Sequence, residues 1–389
     1  MSPYRWPLMH ENILRQDLVT IIDFLGVHDY TDAEKQIPKL TNGEQVRAFE
    51  NEFAAYIGTK YACMVSSGAS ANLITMAALA HIYGPGDVLV PTITWVSDIT
   101  SVLQAGLTPR FVDVDPETLG MDWKRAPSGV LAVFLTHCLG FNGLPAEQNT
   151  GVHWIEDCCE SIGATHEGRK LGTFGLASNF SFYYAHHMTT VEGGMICTSD
   201  RTFYETCRML RGHGLLRECS DADYKQKIGQ SFPDLDPQFI FVLPGYNARP
   251  TELQAVLGRS QLKRLDANVA ARNANLRTFL AALDPDKYRT RYRLEGSSSY
   301  AFPLILCEKN ALLLGRVLGC LQAEGVEYRR GTSGGGNQLR QPYLRKLYGD
   351  LHTQFPQAEH VHDFGLYIGN YPGLAVNQIE ALCERLNAL

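Results

Sequence analysis

Tyr61-Ala-Cys-Met-Val-Ser-Ser-Gly-Ala-Ser-Ala-Asn72 passes from an apolar run into a string of small residues, and that junction sets the architecture. Positions 63–65 predict a buried strand, and the apolar stretch 69–82 predicts a helix that opens on the small residues. Working outward, the alternation returns. Further strands are predicted at 87–90, 109–114, 130–135 and 153–156, with a helical stretch around 96–105 after the first of them. Strands spaced by helices need crossover connections, so the sheet is predicted to be mainly parallel and covered on both faces. That is an α/β fold.

Toward the C-terminus, Leu253, Val256, Leu257, Leu262 and Leu265 fall at helical spacing. They predict one long helix from 251 to about 283, with Pro250 as its first-turn residue. A strand at 301–306 follows. A chain of 389 residues is too long for one ordinary core. Two domains are therefore expected: a large one over 1–250, including the N-terminal segment, and a linking helix with a smaller α/β domain over 251–389.

The net charge of −6 and the absence of any basic run argue against a nucleic-acid footprint. No stretch reaches the roughly 18 apolar residues that span a bilayer, and the opening Met-Ser-Pro-Tyr-Arg-Trp-Pro lacks the apolar centre of a secretory signal. Ten irregularly placed cysteines, several in apolar segments, read as free thiols in a reducing compartment. The expected location is the cytoplasm.

Ser66-Ser-Gly-Ala-Ser-Ala-Asn72 follows a strand and opens a helix, where amides and hydroxyls can hold a phosphate. From these residues alone a plain strand-to-helix turn with a serine cap is the favoured reading. In Trp154-Ile-Glu-Asp-Cys-Cys-Glu-Ser-Ile-Gly-Ala164, Asp157 falls at the carboxyl end of a buried strand, where open α/β sheets bind ligands. It could protonate a pyridine nitrogen or cap the next helix. Cys158 and Cys159 are too close to form a zinc pair and read as packing residues, and no metal site is expected. Ser181-Phe-Tyr-Tyr-Ala-His-His-Met-Thr-Thr-Val-Glu-Gly-Gly194 carries two adjacent histidines, which would point apart on a strand. Phe241-Val-Leu-Pro-Gly-Tyr-Asn-Ala-Arg-Pro-Thr-Glu252 offers Asn247 and Arg249 for an anion, or as a helix cap and a solvated side chain.

In this order the motifs resemble the DegT/DnrJ/EryC1/StrS family of nucleotide-sugar enzymes that use pyridoxal phosphate (PLP), from about Asn42 onward. The resemblance implies a PLP-dependent transferase fold of type I, similar to aspartate aminotransferase. Most of that family holds a lysine at the sixth position of the histidine stretch; here it is His186. An imidazole cannot tether the cofactor covalently but can move protons near neutral pH. By position, Ser67, Gly68 and Ser181 would hold the cofactor phosphate, Trp95 would stack on the ring, Asp157 would meet the pyridine nitrogen and Glu160 the ring hydroxyl. Asn247 would reach the phosphate of a neighbouring subunit, and Arg249 its carboxylate or sugar, so a homodimer with shared sites is expected. His213 and Arg217 are candidate substrate contacts, against a reading as a solvated basic loop.

The histidine branch of the family implies loss of the 3-hydroxyl from a nucleotide-linked 4-keto-6-deoxyhexose. The nearest resemblance points to a GDP-linked 4-keto-6-deoxymannose, as in the route to colitose. L-glutamate would convert PLP to its amine form (PMP), with His186 as acid and base. The competing branch, acting on CDP-sugars, adds an iron–sulfur cluster. The run Arg211-Gly-His-Gly-Leu-Leu-Arg-Glu-Cys-Ser220 offers only Cys219, where a cluster needs four thiolates, so none is expected. An aminotransferase that has lost its lysine and a catalytically silent PLP-binding protein are the other readings. The glycine-rich stretch at 331–336, within Arg329-Arg-Gly-Thr-Ser-Gly-Gly-Gly-Asn-Gln338, is either a mobile loop over the sugar or a flexible connector.

Overall fold

The computed structural model describes residues 4–10, 12–26, 38–148 and 151–389, so Met1 to Pro3 of the opening stretch lie outside it. Seven strands build the main sheet: β1 (Tyr61–Val65), β2 (Asp87–Pro91), β3 (Thr108–Val112), β4 (Ala132–Thr136), β5 (His153–Asp157), then β8 (Ala177–Ser181) and β9 (Gly194–Thr198). A two-stranded hairpin, β6 (Thr165–His166) and β7 (Arg169–Lys170), lies between β5 and β8 in the chain. The sheet order is β1-β9-β8-β5-β4-β2-β3. β3, β2, β4, β5 and β8 run parallel, while β9 is antiparallel to both β8 and β1. The predicted strands at 63–65, 87–90, 109–114, 130–135 and 153–156 all fall on observed ones, shifted by a residue or two.

Alternate residues along each strand feed opposite faces. Leu135 and Phe180 pack with Phe49 and Phe53 of α2 (Glu44–Ile57). Phe134 and Ile155 pack on the other face with Ile74 and Leu79 of α3 (Gly68–Tyr83), Ile99 and Val102 of α4 (Val96–Gln104), and Phe203 of α5 (Arg201–Arg211). These side chains are almost fully buried, each stabilising the fold by about 1.5–3 kcal/mol. Helices on both faces are what a mainly parallel sheet requires.

A three-stranded antiparallel sheet, in the order β10-β12-β11, comes from β10 (Ala301–Ile305), β11 (Tyr328–Arg330) and β12 (Gly365–Gly369). Phe302, Leu304 and Ile368 share a core with Phe279, Val317 and Leu382. The expected long helix is two: α7 (Glu252–Leu262) and α8 (Leu265–Ala282). Helical periodicity continues through the joint, but Arg264 leaves helical geometry (φ −114°, ψ 5°). There its guanidinium binds the Asn12 carbonyl and the Asp17 carboxylate of α1 (Arg15–Leu25). Tertiary contacts override local pattern at that joint. Pro250 stands outside the first turn, because Thr251 is the cap, accepting from Gln254 N while the Gln254 side chain reaches back. Among the described residues, no helix is long and apolar enough to cross a membrane.

Candidate active site

The carboxyl ends of β1, β4, β5 and β8 all reach the same edge of the main sheet. The register sets this: Asp157 pairs with Asn179 and Thr136, and Gly194 lies opposite both Ser181 and Val65. Loops leaving a parallel sheet at that edge converge on a ligand site. A cavity of about 640 Å³ opens there, lined by Ser67, Gly68, Trp95, Asp157, Glu160, Ser181 and His186 together with Tyr183, Tyr300, Arg329, Ser333 and Tyr367.

Ser67 caps α3, its hydroxyl accepting from Ser70 N at 3.0 Å, with Ser66 and Ser70 hydroxyls in contact beside it. Gly68 must be glycine because of what faces it. A Cβ there would stand 2.6 Å from Ser181 Cβ and 3.1 Å from Cys159 Sγ. The α3 amides can thus approach the ends of β5 and β8, leaving a cradle of backbone N–H and hydroxyl groups suited to a phosphate. Asp157 is nearly buried, its carboxylate held by Asn72 Nδ2 at 3.0 Å and Cys159 N at 2.8 Å. Trp95 ends in the loop before α4 and is 55% exposed, an aromatic face with nothing covering it at the cavity mouth. The residues present fit PLP: an anion cradle, a fixed carboxylate and a free aromatic plane.

His186 sits in the turn between β8 and β9, where Asn12 Nδ2 donates to the carbonyls of His186 and His187. The two rings part, as expected, though in a turn and not on a strand. His187 is buried with Nε2 against the Ser298 carbonyl at 3.0 Å, a structural contact. The His186 ring stacks on Tyr300 at 5.3 Å, and its Nδ1 has no hydrogen-bond partner among the described residues. Burial and then the Arg272 guanidinium push the imidazole down to about 3, against a backbone contact at Cys159. It is neutral at physiological pH.

Glu160 accepts from Leu139 N at 2.7 Å and from the Ser333 hydroxyl at 2.5 Å. Burial pushes its carboxyl up to about 7 despite those two bonds. Ser333 belongs to the glycine-rich segment, whose Gly334 and Gly335 also line the cavity. The segment is pinned by Gly331 N on the Gly365 carbonyl, Gln338 N on the Thr92 carbonyl and Asn337 Nδ2 on Glu359. Gly336 faces His362 of α11 (Pro356–Phe364), not the cavity.

Four expected residues lie elsewhere. His213 (φ +65°) and Arg217 are exposed, Arg217 over the Phe239 ring. Asn247 bridges to Gly212, and Arg249 faces Glu218 at 3.6 Å. None of the four lines the chain's own cavity. The sequence missed Tyr300 and Tyr367, since an aromatic residue in a distant segment carries no local sign of its destination; Tyr183 and Arg329 lie inside the quoted stretches but were not singled out. Cys158 is core, as read, but its neighbour Cys159 lines the cavity. All ten cysteines are free thiols. His137, Glu156 and Cys158 form a buried group of metal-ligand type. The Glu156 carboxylate there is already taken by Gly172 N, Phe174 N and His137, so it reads as a hydrogen-bonded core cluster.

Residues 29–387 match the DegT/DnrJ/EryC1/StrS aminotransferase family, and the chain belongs to it. Its fold is that of the PLP-dependent aminotransferases. Among the relatives, the chain is 34% identical over 348 residues to the GDP-4-keto-6-deoxy-D-mannose 3-dehydratase of Yersinia pseudotuberculosis, covering 85% of this chain and 88% of that one. Against the Escherichia coli O55:H7 enzyme of the same name it is 33% identical over 362 residues, covering 89% and 92%. A solved structure of the E. coli GDP-4-keto-6-deoxy-D-mannose-3-dehydratase with bound hydrated PLP superposes with a TM-score of 0.84 at 29% identity, over 99% of this chain and 100% of that one. Another of that enzyme, with a trapped PLP–glutamate geminal diamine, gives 0.83 at 29% identity, over 98% and 100%.

Proposed function

We propose that this chain is a PLP- and PMP-dependent 3-dehydratase. It removes the 3-hydroxyl of a nucleotide-linked 4-keto-6-deoxyhexose, GDP-4-keto-6-deoxy-D-mannose, in cytoplasmic deoxysugar biosynthesis leading to a lipopolysaccharide O-antigen sugar such as colitose. The amino donor is L-glutamate. One observation carries the reading: His186 lines the cavity, and no lysine does among the described residues.

When bound, the cofactor supplies an electron sink beside the sugar's 4-keto carbon. The cradle of Ser67, Gly68 and Ser181 holds its phosphate, Asp157 its pyridine nitrogen, and Trp95 covers one face. Glu160 faces the ring hydroxyl. His186, kept neutral by burial and Arg272, takes a proton on its imidazole and returns it to the departing hydroxyl. An imidazolium held in that surrounding is a strong acid, which favours the return. Lysine would favour an amino sugar; histidine favours loss of water.

Asn247 and Arg249, and with them His213 and Arg217, lie outside their own chain's cavity, which supports a homodimer in which each copy completes the other's site. The division into 1–250 and 251–389 goes with this reading. Incubating the protein with PLP, L-glutamate and GDP-4-keto-6-deoxy-D-mannose tests it. Ammonia with a 3-deoxy sugar is the expected result. An amino sugar would make the protein an aminotransferase, and no conversion would leave it a silent PLP binder; either overturns the proposal.

A further inference from the structure

A second carboxyl lies behind Asp157 and has no place in the function above. Asp98, in the first turn of α4, is completely buried. A single amide joins it to Asp157: Asn72 Nδ2 donates to Asp98 Oδ1 at 2.6 Å and to Asp157 Oδ2 at 3.0 Å, with Ser97 Oγ also at 3.0 Å. The other Asp98 oxygen, Oδ2, meets the hydroxyls of Thr94 and Thr136, the latter at 2.5 Å, and those hydroxyls lie 2.6 Å from each other. No Lys or Arg takes part in these contacts.

Two arguments fix the charge. Two carboxylates that share one amide donor, one of them completely buried and neither paired with a cation, cannot both ionise. The oxygens of Asp98, Thr94 and Thr136 make three short contacts, yet two threonine hydroxyls supply only two hydrogens. A carboxyl proton on Asp98 supplies the third. We propose that Asp98 and Asp157 form an acid–carboxylate pair with one proton between them, resident on Asp98, and that Asp98 is a positioning residue for the cofactor aspartate. Burial, and after it the Asp157 charge, hold the Asp98 carboxyl well above the usual carboxylate range, in the same sense.

The arrangement has a use. A neutral Asp98 leaves Asp157 as the anion facing the cavity, while Asn72 is locked by both and holds the Asp157 carboxylate in one orientation. A threonine or alanine at 98 would leave Asn72 without its shortest contact. An ionised aspartate there would drive a proton onto Asp157 and cancel the charge that a pyridinium needs. This use rests on Asp157 being the cofactor's partner, as proposed above; the location of the proton does not.

Infrared spectroscopy of the protein without cofactor, at pH 8, tests the proton directly. The spectrum of wild type minus that of Asp98→Asn is expected to show a protonated-carboxyl C=O band, with the fraction of Glu160 still protonated at pH 8 common to both and cancelling. A difference spectrum without that band overturns the pair. Equilibrium dialysis with PMP, which cannot bond covalently to surface lysines, tests the positioning role. Asp98→Asn should bind PMP within about threefold of wild type, and Asp98→Val at least about tenfold more weakly, since an amide keeps the Asn72 clamp and an alkyl group does not. Equal binding by all three overturns positioning. Should Asp98→Val fail to fold, Asp98→Ala, which also removes the contact to Asn72, takes its place in the comparison, and the band still decides the proton. Wild-type protein that binds no PMP would sink the cofactor reading instead, with the band still reporting on the proton.

Discussion

At the scale of single residues, two groups in the cavity are held in unusual protonation states, and each makes a prediction. Replacing His186 by lysine puts an amine beside Tyr300 and under the Arg272 charge, where burial and that charge lower an amine's pKa and leave it nucleophilic. His186→Lys is expected to attach PLP covalently, giving visible absorbance that borohydride fixes to the protein, and to lose dehydration; dehydration retained would remove His186 from its role. Glu160 works through stability. Its folded carboxyl titrates at about 7 against an ordinary 4.5, so its stabilising contribution is complete below pH 4.5 and is lost as pH rises through 7. The span corresponds to about 3 kcal/mol. Glu160→Gln keeps acceptors for Leu139 N and Ser333 without ionising. Denaturant unfolding without cofactor should therefore show the variant gaining on wild type between pH 5 and pH 8, and parallel curves would contradict it. Sequence made His186 and Asp157 legible because each sits inside a run of neighbours with its own pattern. It could not show that the Ser333 hydroxyl meets Glu160 across 173 positions, because such a contact exists only once the chain has folded.

At the scale of elements, strands and their helices were readable wherever a residue's fate depends on its nearest neighbours. The junction at 61–72 predicted both β1 and α3, since an all-apolar strand followed by small residues has few other ways to fold. The break between α7 and α8 was not readable. Leu262 and Leu265 keep helical spacing across it, and the cause lies in Asn12 and Asp17 some 250 residues away. The antiparallel β9 was missed altogether, since no strand was predicted at 194–198, and period-two patterning would not have shown which way it runs. Another distant contact gives the third prediction. Glu252, at the start of α7, is buried and accepts from Gly43 N at 2.7 Å, Gln45 N at 2.9 Å and Val46 N at 3.1 Å, thereby capping α2 from another helix. The amides at the start of a helix have no partner within it. Glu252→Ala strands three of them, two at buried bonds. The cost should be about 2–4 kcal/mol, read as a lowered denaturation midpoint, and a loss under about 0.5 kcal/mol would mean that the cap contributes nothing.

At the scale of the whole molecule, the site residues fall into two spatial groups on one chain. Ser67, Gly68, Trp95, Asp157, Glu160, Ser181 and His186 share the cavity; His213, Arg217, Asn247 and Arg249 share a loop cluster outside it. Beside that cluster, α6 (Ala222–Ser231) buries none of its residues, and Phe232, Phe239 and Phe241 are about half exposed. Aromatic rings left in water beside a polar loop cluster are what a face covered by a second copy looks like. In a two-fold dimer the same patches meet in both directions, so each cavity would draw its outer group from the other chain. Mixing two dead variants separates this from a chain that works alone. His186→Asn removes the proton carrier from a chain's own cavity, and Arg249→Ala removes the group that it lends. Neither homodimer should turn over. In a mixed dimer both lesions fall on one cavity, leaving the other with an intact His186 and an intact Arg249. Equal co-expression makes half of all dimers mixed, each with one working site of two, so about a quarter of wild-type activity should return. A self-contained chain would return none, because every cavity would keep its own lesion whichever partner it met.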